Sequence, residues 1–135
     1  MPTNVRVIQA MDFIRASPAG VLDLGASEKL LGELIDAAEA YPNAAVLLDT
    51  RHAITTLSTA DLWCLAQLAA NRRGDRPARR VAVLCPAERF DHARFFALCA
   101  ERRGFDLMAF LDYERAMEWI IAGQRRLDPL SPPGA

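Results

Sequence analysis

The sequence predicts a mixed α/β domain in which an N-terminal β-hairpin precedes alternating helices and strands. Three short apolar runs, at 44–49, 81–85 and 105–111, are separated by segments whose apolar residues recur at helical spacing. This alternation is typical of parallel strands joined through right-handed helical crossovers. The length of 135 residues suits one domain, and a hydrophobic content of 52% suits a sheet covered on both faces. We therefore expect a mixed, mostly parallel sheet with helices packed on it.

The hairpin is predicted from the first 24 residues. Residues 5–15 are rich in β-branched and aromatic side chains and favour one extended strand. Proline and glycine at 17–20 suit a type I turn. The short apolar run at 21–24 would then be the second, antiparallel strand.

Each of the four predicted helices has a polar residue suited to N-capping at its start: Ser27, Ser58, Asp91 and Asp112. The first helix should end near Tyr41, because Pro42 disfavours helical geometry in the residue before it. Ser58 and Asp61 make a capping box. The last helix should end at Gly123, which makes 1–123 a single domain and 124–135 a tail that we expect to be disordered.

Charge and cysteine content exclude several classes of function. The formal net charge is −1, so no overall field would attract nucleic acid or an anionic membrane. No apolar stretch is long enough for a membrane span, and the first residues lack a signal-peptide pattern. The cysteines Cys64, Cys85 and Cys99 are odd in number and widely spaced, which favours a reducing cytoplasm over a disulfide framework. We expect Cys64 and Cys99 to lie in the core.

The familiar cofactor and metal motifs are missing from the sequence. Gly20 and Gly25 have the glycine spacing of a P-loop, but Ala26 replaces the lysine that would hold a phosphate. The dinucleotide fingerprint and the nucleophile elbow are absent. His52 and His92 lie far apart in the sequence, and no cysteine pair has zinc-site spacing. No cofactor and no metal is therefore predicted.

Polar residues follow the predicted parallel strands, at the sheet edge where open α/β sheets bind ligands. Asp49, Arg51 and His52 come after the first apolar run, Cys85 ends the second, and Asp112 follows the third. An acid, a permanent cation and an imidazole this close can tune one another. The alternative is an ordinary Asp–Arg loop contact with an exposed histidine, and a Cys85 that packs as a small hydrophobe.

An arginine-rich link joins the second helix to the strand at 81–85. It is either a solvated connection or a docking site for an anionic partner or phosphate. Its basic residues are Arg72, Arg73, Arg76, Arg79 and Arg80.

Two tryptophans lie on predicted helices. The sheet-facing core accounts for Trp63 and Trp119. The alternative is an amphipathic groove that they would share with Phe90, Phe95 and Phe96.

The chain resembles the SpoIIAA-like branch of the STAS/SEC14-type bacterial domains over roughly residues 5–123. The closing pattern is the most distinctive: an aromatic residue, an acid, Glu-Arg-Ala and then a tryptophan. The residues that carry the resemblance lie at 47–51, 57–62, 81–84, 95–96, 103–105 and 109–119. The resemblance implies a small sheet with packed helices and a role in regulation or ligand capture.

The resemblance also draws attention to the start of the second helix. Sporulation-type anti-anti-sigma factors carry a phosphorylated serine in an Asp-Ser-Ser-Gly stretch at a helix start. Ser58 and Thr59 fall at a similar place, although this chain lacks the preceding acid and the following glycine. Phosphorylation there would add about −2 charge near a helix N-terminus, which the helix dipole tolerates.

Three functions remain open at this point. The preferred one is a non-enzymatic regulatory or protein-interaction module, with Ser58 or Thr59 as its candidate switch. The second is a binding protein for a small apolar or carboxylate ligand, with Arg51 as its anchor, and the third is an enzyme that uses Asp49, His52 or Cys85. A homodimer through the exposed edge of the hairpin is a further alternative.

Overall fold

Seven strands and four helices make up the residues that the computed structural model describes, which are 5–8, 13–76 and 79–127. The strands are β1 (Val5–Ile8), β2 (Phe13–Ala16), β3 (Gly20–Leu22), β4 (Ala45–Asp49), β5 (Ala53–Thr55), β6 (Arg80–Leu84) and β7 (Asp106–Phe110). The helices are α1 (Leu24–Ala40), α2 (Thr59–Arg73), α3 (Phe90–Glu101) and α4 (Tyr113–Leu127), and a single 3-10 turn (Ala87–Arg89) precedes α3. The predicted alternation of helices and strands is confirmed.

Five of these strands form one mixed sheet in the order β1-β2-β4-β6-β7. The hairpin strands β1 and β2 are antiparallel, and every other neighbouring pair is parallel. The predicted architecture, a hairpin followed by a mostly parallel sheet, is therefore confirmed.

The prediction of which segments form the hairpin was wrong. Both hairpin strands come from the stretch 5–16, where we predicted one strand. The segment expected to be the second hairpin strand is β3, which pairs in parallel with β5 in a separate two-stranded sheet. A continuous apolar pattern does not show where a chain reverses, and the β3–β5 pairing joins segments more than 30 residues apart.

The sheet is covered on both faces, as its apolar strands require. On one face Phe13 and Leu47 pack against α4, whose buried contacts include Ile120. On the other face Ile14 and Val46 pack against α1. Helices α2 and α3 pack side by side, with α2 also against α1 and α3 against β7. Among the described residues, no helix is both long enough and apolar enough to cross a membrane.

Two of the predicted helix starts were wrong. The cap of α1 is Asp23, whose carboxylate accepts the Ala26 N–H at 2.8 Å, while Ser27 is buried in the first turn. A 3-10 turn extends the start of α3, so its cap position is Arg89 and Asp91 lies in the first turn. In both cases the chain adopts helical geometry a few residues before the predicted polar cap.

The other helix boundaries follow the sequence more closely. The Ser58–Asp61 capping box is confirmed, and Asp112 accepts the Glu114 N–H at 3.0 Å at the start of α4. That helix continues past Gly123 to Leu127, so the predicted end was four residues early. The rest of the predicted tail, 128–135, lies outside the described residues.

Candidate functional site

Asp49 ends β4 at the carboxyl edge of the sheet, and its side chain is only 1% exposed. A buried carboxylate is costly unless it is paired and hydrogen-bonded. Arg51 provides both interactions, since its Nε lies 3.0 Å from Oδ1 and its Nη2 lies 2.9 Å from Oδ2. The Arg51 backbone N–H also donates to Oδ1. The structure therefore brings together Asp49 and Arg51, two of the predicted site residues, in a bidentate pair.

A second arginine, Arg15 on β2, also faces this carboxylate. Its Nη2 lies 3.8 Å from Asp49 Oδ2, and its guanidinium lies 5.7 Å from the centre of the Tyr113 ring. The sequence analysis did not select Arg15. The available signal was the period-two alternation of a strand, which places Arg15 on the same face as the buried Phe13 and next to β4.

The charges of this cluster stabilise Asp49 in its ionised form. Burial alone would raise the pKa of the Asp49 carboxyl. The hydrogen bonds from the Arg51 side chain and backbone, with the positive charges of Arg51 and Arg15, outweigh burial and leave that pKa below its usual value. Reciprocally, the hydrogen bond to Asp49 raises the pKa of Arg51, and the charge of Asp112 adds to this effect.

Side chains near the start of α3 hold the loop after β4 through contacts with its backbone carbonyls. Arg89 donates from Nη1 to the Ala53 carbonyl and from Nη2 to the Thr50 carbonyl, both at 2.6 Å. His92 Nε2 lies 2.8 Å from the Leu57 carbonyl oxygen. His52 is exposed at the turn between these anchors. Of the predicted group Asp49, Arg51 and His52, only the first two are paired. The Asp49 carboxylate is buried, whereas the His52 imidazole is exposed to solvent.

Cys85 is placed where a thiolate is disfavoured. The residue is buried, its Sγ lies 3.7 Å from the Phe110 carbonyl oxygen, and burial raises the pKa of its thiol. The thiol form therefore predominates at neutral pH. This agrees with the interpretation of Cys85 as a small hydrophobe at the end of the strand.

The small β3–β5 sheet presents an apolar pair to solvent that the sequence analysis missed. Val21 and Ile54 are opposite each other in the ladder, and they are 51% and 61% exposed. Neighbouring apolar side chains on a surface often mark an interaction site. A three-residue strand such as β5 carries too little periodicity to be recognised in the sequence, which is why this pair was not selected.

The two hydroxyls predicted as a switch lie just after β5, at the start of α2. Ser58 Oγ accepts the Asp61 N–H at 3.1 Å, and Asp61 Oδ2 accepts the Ser58 N–H at 3.0 Å. Thr59 is the first residue of α2 and is exposed. Ser58 therefore has a structural task, whereas the Thr59 side chain faces solvent.

The arginine-rich link is largely used to hold the fold together. Arg73 donates to the carbonyls of Arg103 and Gly104, and its guanidinium lies 4.4 Å from the centre of the Phe105 ring. Arg79 donates to two carbonyls in the turn after α1, and Arg80 pairs with Asp106 and stacks on Trp119. Arg76 pairs with Glu39 on α1. These arginines join segments that are distant in the sequence.

Two of the residues expected in the core are at the surface instead. Trp63 and Cys64 are exposed on α2, and Arg103 stacks on the Trp63 ring at 4.8 Å. Cys99 is buried as expected, and Trp119 is half-buried against Phe110. The helical spacing of the sequence predicts Leu62, Leu65, Ala66 and Ala69 as the buried stripe of α2, and this is confirmed, so Trp63 and Cys64 lie outside that stripe.

Beside α4 lies a shallow depression that is open to solvent. It is lined by Asp112, Glu114, Arg115, Glu118 and Trp119. Its charged walls and open shape do not suit an apolar ligand, which prefers an enclosed, mostly apolar cavity.

Within residues 5–8, 13–76 and 79–127, histidine, cysteine and carboxylate side chains do not cluster in a way that could hold a metal ion.

Comparison with known proteins supports the fold but does not indicate a function. No protein-family model matches the sequence, and neither does any curated protein. Among solved structures, the chain is similar to an uncharacterised protein of the DUF3478 family from Shewanella loihica PV-4, which has a SpoIIAA-like fold. The similarity has a TM-score of 0.58 at 17% identity and covers 88% of this chain and 92% of the other. The chain therefore has a SpoIIAA-like fold, as its sequence predicts.

Proposed function

We propose that the chain is a non-enzymatic regulatory module that binds another protein through its β3–β5 sheet and the start of α2. The observation that carries this proposal is the exposed Val21–Ile54 pair, which the solvent-facing Thr59 follows five residues later in the chain. The resemblance to STAS-type anti-anti-sigma domains supports it, since that resemblance implies regulation through protein contacts. We call Val21, Ile54 and Thr59 the docking surface.

The surroundings of the docking surface indicate the chemistry of the partner. The apolar pair favours apolar side chains at the centre of the contact. Asp23 follows β3 directly, and Asp61 lies in the first turn of α2, so a carboxylate follows each of the two strands in the chain. We therefore expect a protein that presents apolar side chains bordered by basic ones.

The same surface offers a place for regulation by phosphorylation. A phosphate on Thr59 would add about −2 charge without displacing a cap, because Ser58 is the residue that bonds Asp61. A phosphate on Ser58 would disrupt the capping box and lie close to the Asp61 carboxylate. Of the two predicted switch residues, the geometry favours Thr59.

A comparative pull-down tests the docking surface. Wild type, Ile54→Asp and the control Leu98→Asp are used as bait, since Leu98 is a comparably exposed apolar residue on a different element, α3. We expect wild type and Leu98→Asp to recover the same partner, and Ile54→Asp to lose it. The purified partner should then bind Thr59→Glu at least about tenfold more tightly than Thr59→Ala, because the added carboxylate faces the partner's basic side chains. Equal recovery by Ile54→Asp would contradict the proposal.

A second candidate function rests on the arginine cluster at the carboxyl edge of the sheet. Arg15 and Arg51 both face the buried Asp49, and their side chains remain about one-third exposed. Their unused N–H groups could bind a small carboxylate, as expected for a ligand-binding module. A thermal-shift screen with small carboxylates and fatty acids tests this function. Stabilisation that is lost in Arg15→Gln would support it, and no shift with any ligand would contradict it.

A further inference from the structure

The two-stranded β3–β5 sheet can contribute little stability of its own. Each of its strands has three residues, and an isolated two-stranded sheet is marginally stable in water. Leu22 and Ala53 are buried and attach this sheet to the core, whereas Val21 and Ile54 face solvent. The position of the exposed pair therefore depends on what holds the backbone of β5.

One arginine holds the backbone at the start of β5. Arg89 donates from Nη1 to the Ala53 carbonyl and from Nη2 to the Thr50 carbonyl, and the Ala53 N–H donates to the same Thr50 carbonyl at 3.1 Å. The guanidinium thus bridges both ends of the turn between β4 and β5. Because the Ala53 carbonyl belongs to the planar peptide group that precedes Ile54, this bond fixes the plane from which the Ile54 side chain projects.

Arg89 is itself anchored to the five-stranded sheet. It is the last residue of the 3-10 turn, which begins two residues after Cys85, and the Cys85 N–H donates to the Phe110 carbonyl of β7 at 3.0 Å. Further along, on α3, His92 Nε2 lies 2.8 Å from the Leu57 carbonyl oxygen, on the other side of β5. The segment from the 3-10 turn to the start of α3 therefore connects the backbone before and after β5 to the main sheet.

We propose that Arg89 is a positioning residue of the docking surface, because it fixes the peptide group that orients Ile54 for the partner. This inference rests on the proposed function of the docking surface. A partner that binds a preformed surface does not have to order it, whereas ordering a loose segment costs affinity. Removing the donors of Arg89 should therefore weaken binding, although Arg89 lies on a different element from the three residues of the docking surface.

A purely structural role for Arg89 would have different consequences. Replacing a residue that only stabilises the fold would speed amide exchange in both sheets through global unfolding. A positioning role confines the change to β5 and the residue after it, because the five-stranded sheet keeps its own hydrogen bonds. A comparison of the two sheets within one molecule distinguishes these roles.

Hydrogen exchange of the unbound chain makes this comparison without a partner. Arg89→Met keeps a long side chain but removes its donors. We expect this variant to speed amide exchange at residues 53–56 at least about tenfold and to leave residues 45–49 and 80–84 unchanged. Unchanged exchange at 53–56, or equal acceleration in both sheets, would overturn the proposal.

Two further variants control this experiment. Arg89→Lys keeps the charge but lacks the rigid fork of a guanidinium, so its exchange at 53–56 should lie between that of wild type and that of Arg89→Met. It also provides the comparison if Arg89→Met does not fold. Arg94→Met alters an exposed arginine of α3, whose guanidinium lies 5.9 Å from the centre of the Phe90 ring, and it should exchange as wild type does.

Binding of the purified partner completes the test. We expect the dissociation constant to rise at least about fivefold in Arg89→Met, less in Arg89→Lys and not at all in Arg94→Met. If Arg89→Met binds as tightly as wild type while Ile54→Asp does not bind, the docking surface stands and the role of Arg89 is overturned. Equal recovery of the partner by Ile54→Asp would contradict the docking surface, and with it this inference.

Discussion

At the scale of single residues, the structure is dominated by arginines that act as fixed hydrogen-bond donors. Arg51 neutralises the buried Asp49, Arg73 closes the turn between α3 and β7, and Arg89 holds the loop between β4 and β5. A planar guanidinium suits this task, because its donors are arranged in a rigid fork that can bridge two acceptors. The arginine content therefore reflects the need to join distant segments more than the charge of a partner.

The buried carboxylate leads to a prediction about pH. Its folded-state pKa lies below the ordinary value of 3.8, so Asp49 stabilises the fold above pH 3.8 and loses that contribution as the pH falls through the folded-state pKa. We expect Asp49→Asn to lower the free energy of unfolding at pH 7 by roughly 2 kcal/mol. Urea unfolding should show that the difference from wild type is constant between pH 5 and pH 7 and shrinks in more acidic solution.

The control for this experiment is Asp36→Asn, which alters an exposed carboxylate on α1. It should change the free energy of unfolding by no more than about 0.5 kcal/mol. A difference between wild type and Asp49→Asn that stays constant into strong acid would contradict the account of Asp49 as an ionised, arginine-paired group.

The cysteines provide a second test at this scale. Cys64 is exposed, whereas Cys85 and Cys99 are buried and burial raises the pKa of Cys85. With iodoacetamide at neutral pH, we expect mass spectrometry to show one adduct, at Cys64, in the folded protein and three in urea. Preferential alkylation of Cys85 in the folded protein would indicate a reactive thiolate and favour the enzyme hypothesis instead.

The residues of the site were partly predictable from the sequence. Asp49 and Arg51 were selected because functional groups gather at the carboxyl ends of parallel strands. Arg15 was missed because its role depends on β2 lying next to β4, which is a matter of strand order. Val21 and Ile54 were missed because their exposure follows from the pairing of two three-residue strands.

At the scale of secondary-structure elements, helix starts determine how the functional residues are presented. The capping box holds Ser58 in the backbone of α2 and leaves Thr59 facing solvent. The 3-10 turn before α3 brings Arg89 to the loop after β4. The sequence predicted the box, because a serine and an acid three residues apart form a local pattern. It did not predict the 3-10 turn, whose arginine bonds to residues more than 30 positions away.

The capping box makes a prediction at this scale. Ser58→Ala removes the acceptor of the Asp61 N–H and should reduce the free energy of unfolding by roughly 1 kcal/mol. Thr59→Ala, the matched control, removes a solvent-facing hydroxyl and gains helix propensity, so its stability should equal or slightly exceed that of wild type. Chemical denaturation distinguishes the two variants, and equal midpoints would show that the box contributes nothing to stability.

At the scale of the whole molecule, the described residues form two separate sheets, one of five strands and one of two. The docking surface proposed above includes one residue from each strand of the smaller sheet. The fold class was predictable from the alternation of apolar runs, whereas the separate small sheet was not, since nothing local links β3 to β5.

Hydrogen exchange of the chain, alone and bound to the partner recovered by pull-down, tests the central claim most directly. If the docking surface is the contact, amide exchange should slow on binding in residues 20–22 and 53–60. The control variant Leu98→Asp should show the same slowing when it binds the partner. Protection confined to the strand ends around Arg15 and Arg51, with residues 20–22 and 53–60 unchanged, would contradict a partner-binding role for the β3–β5 sheet.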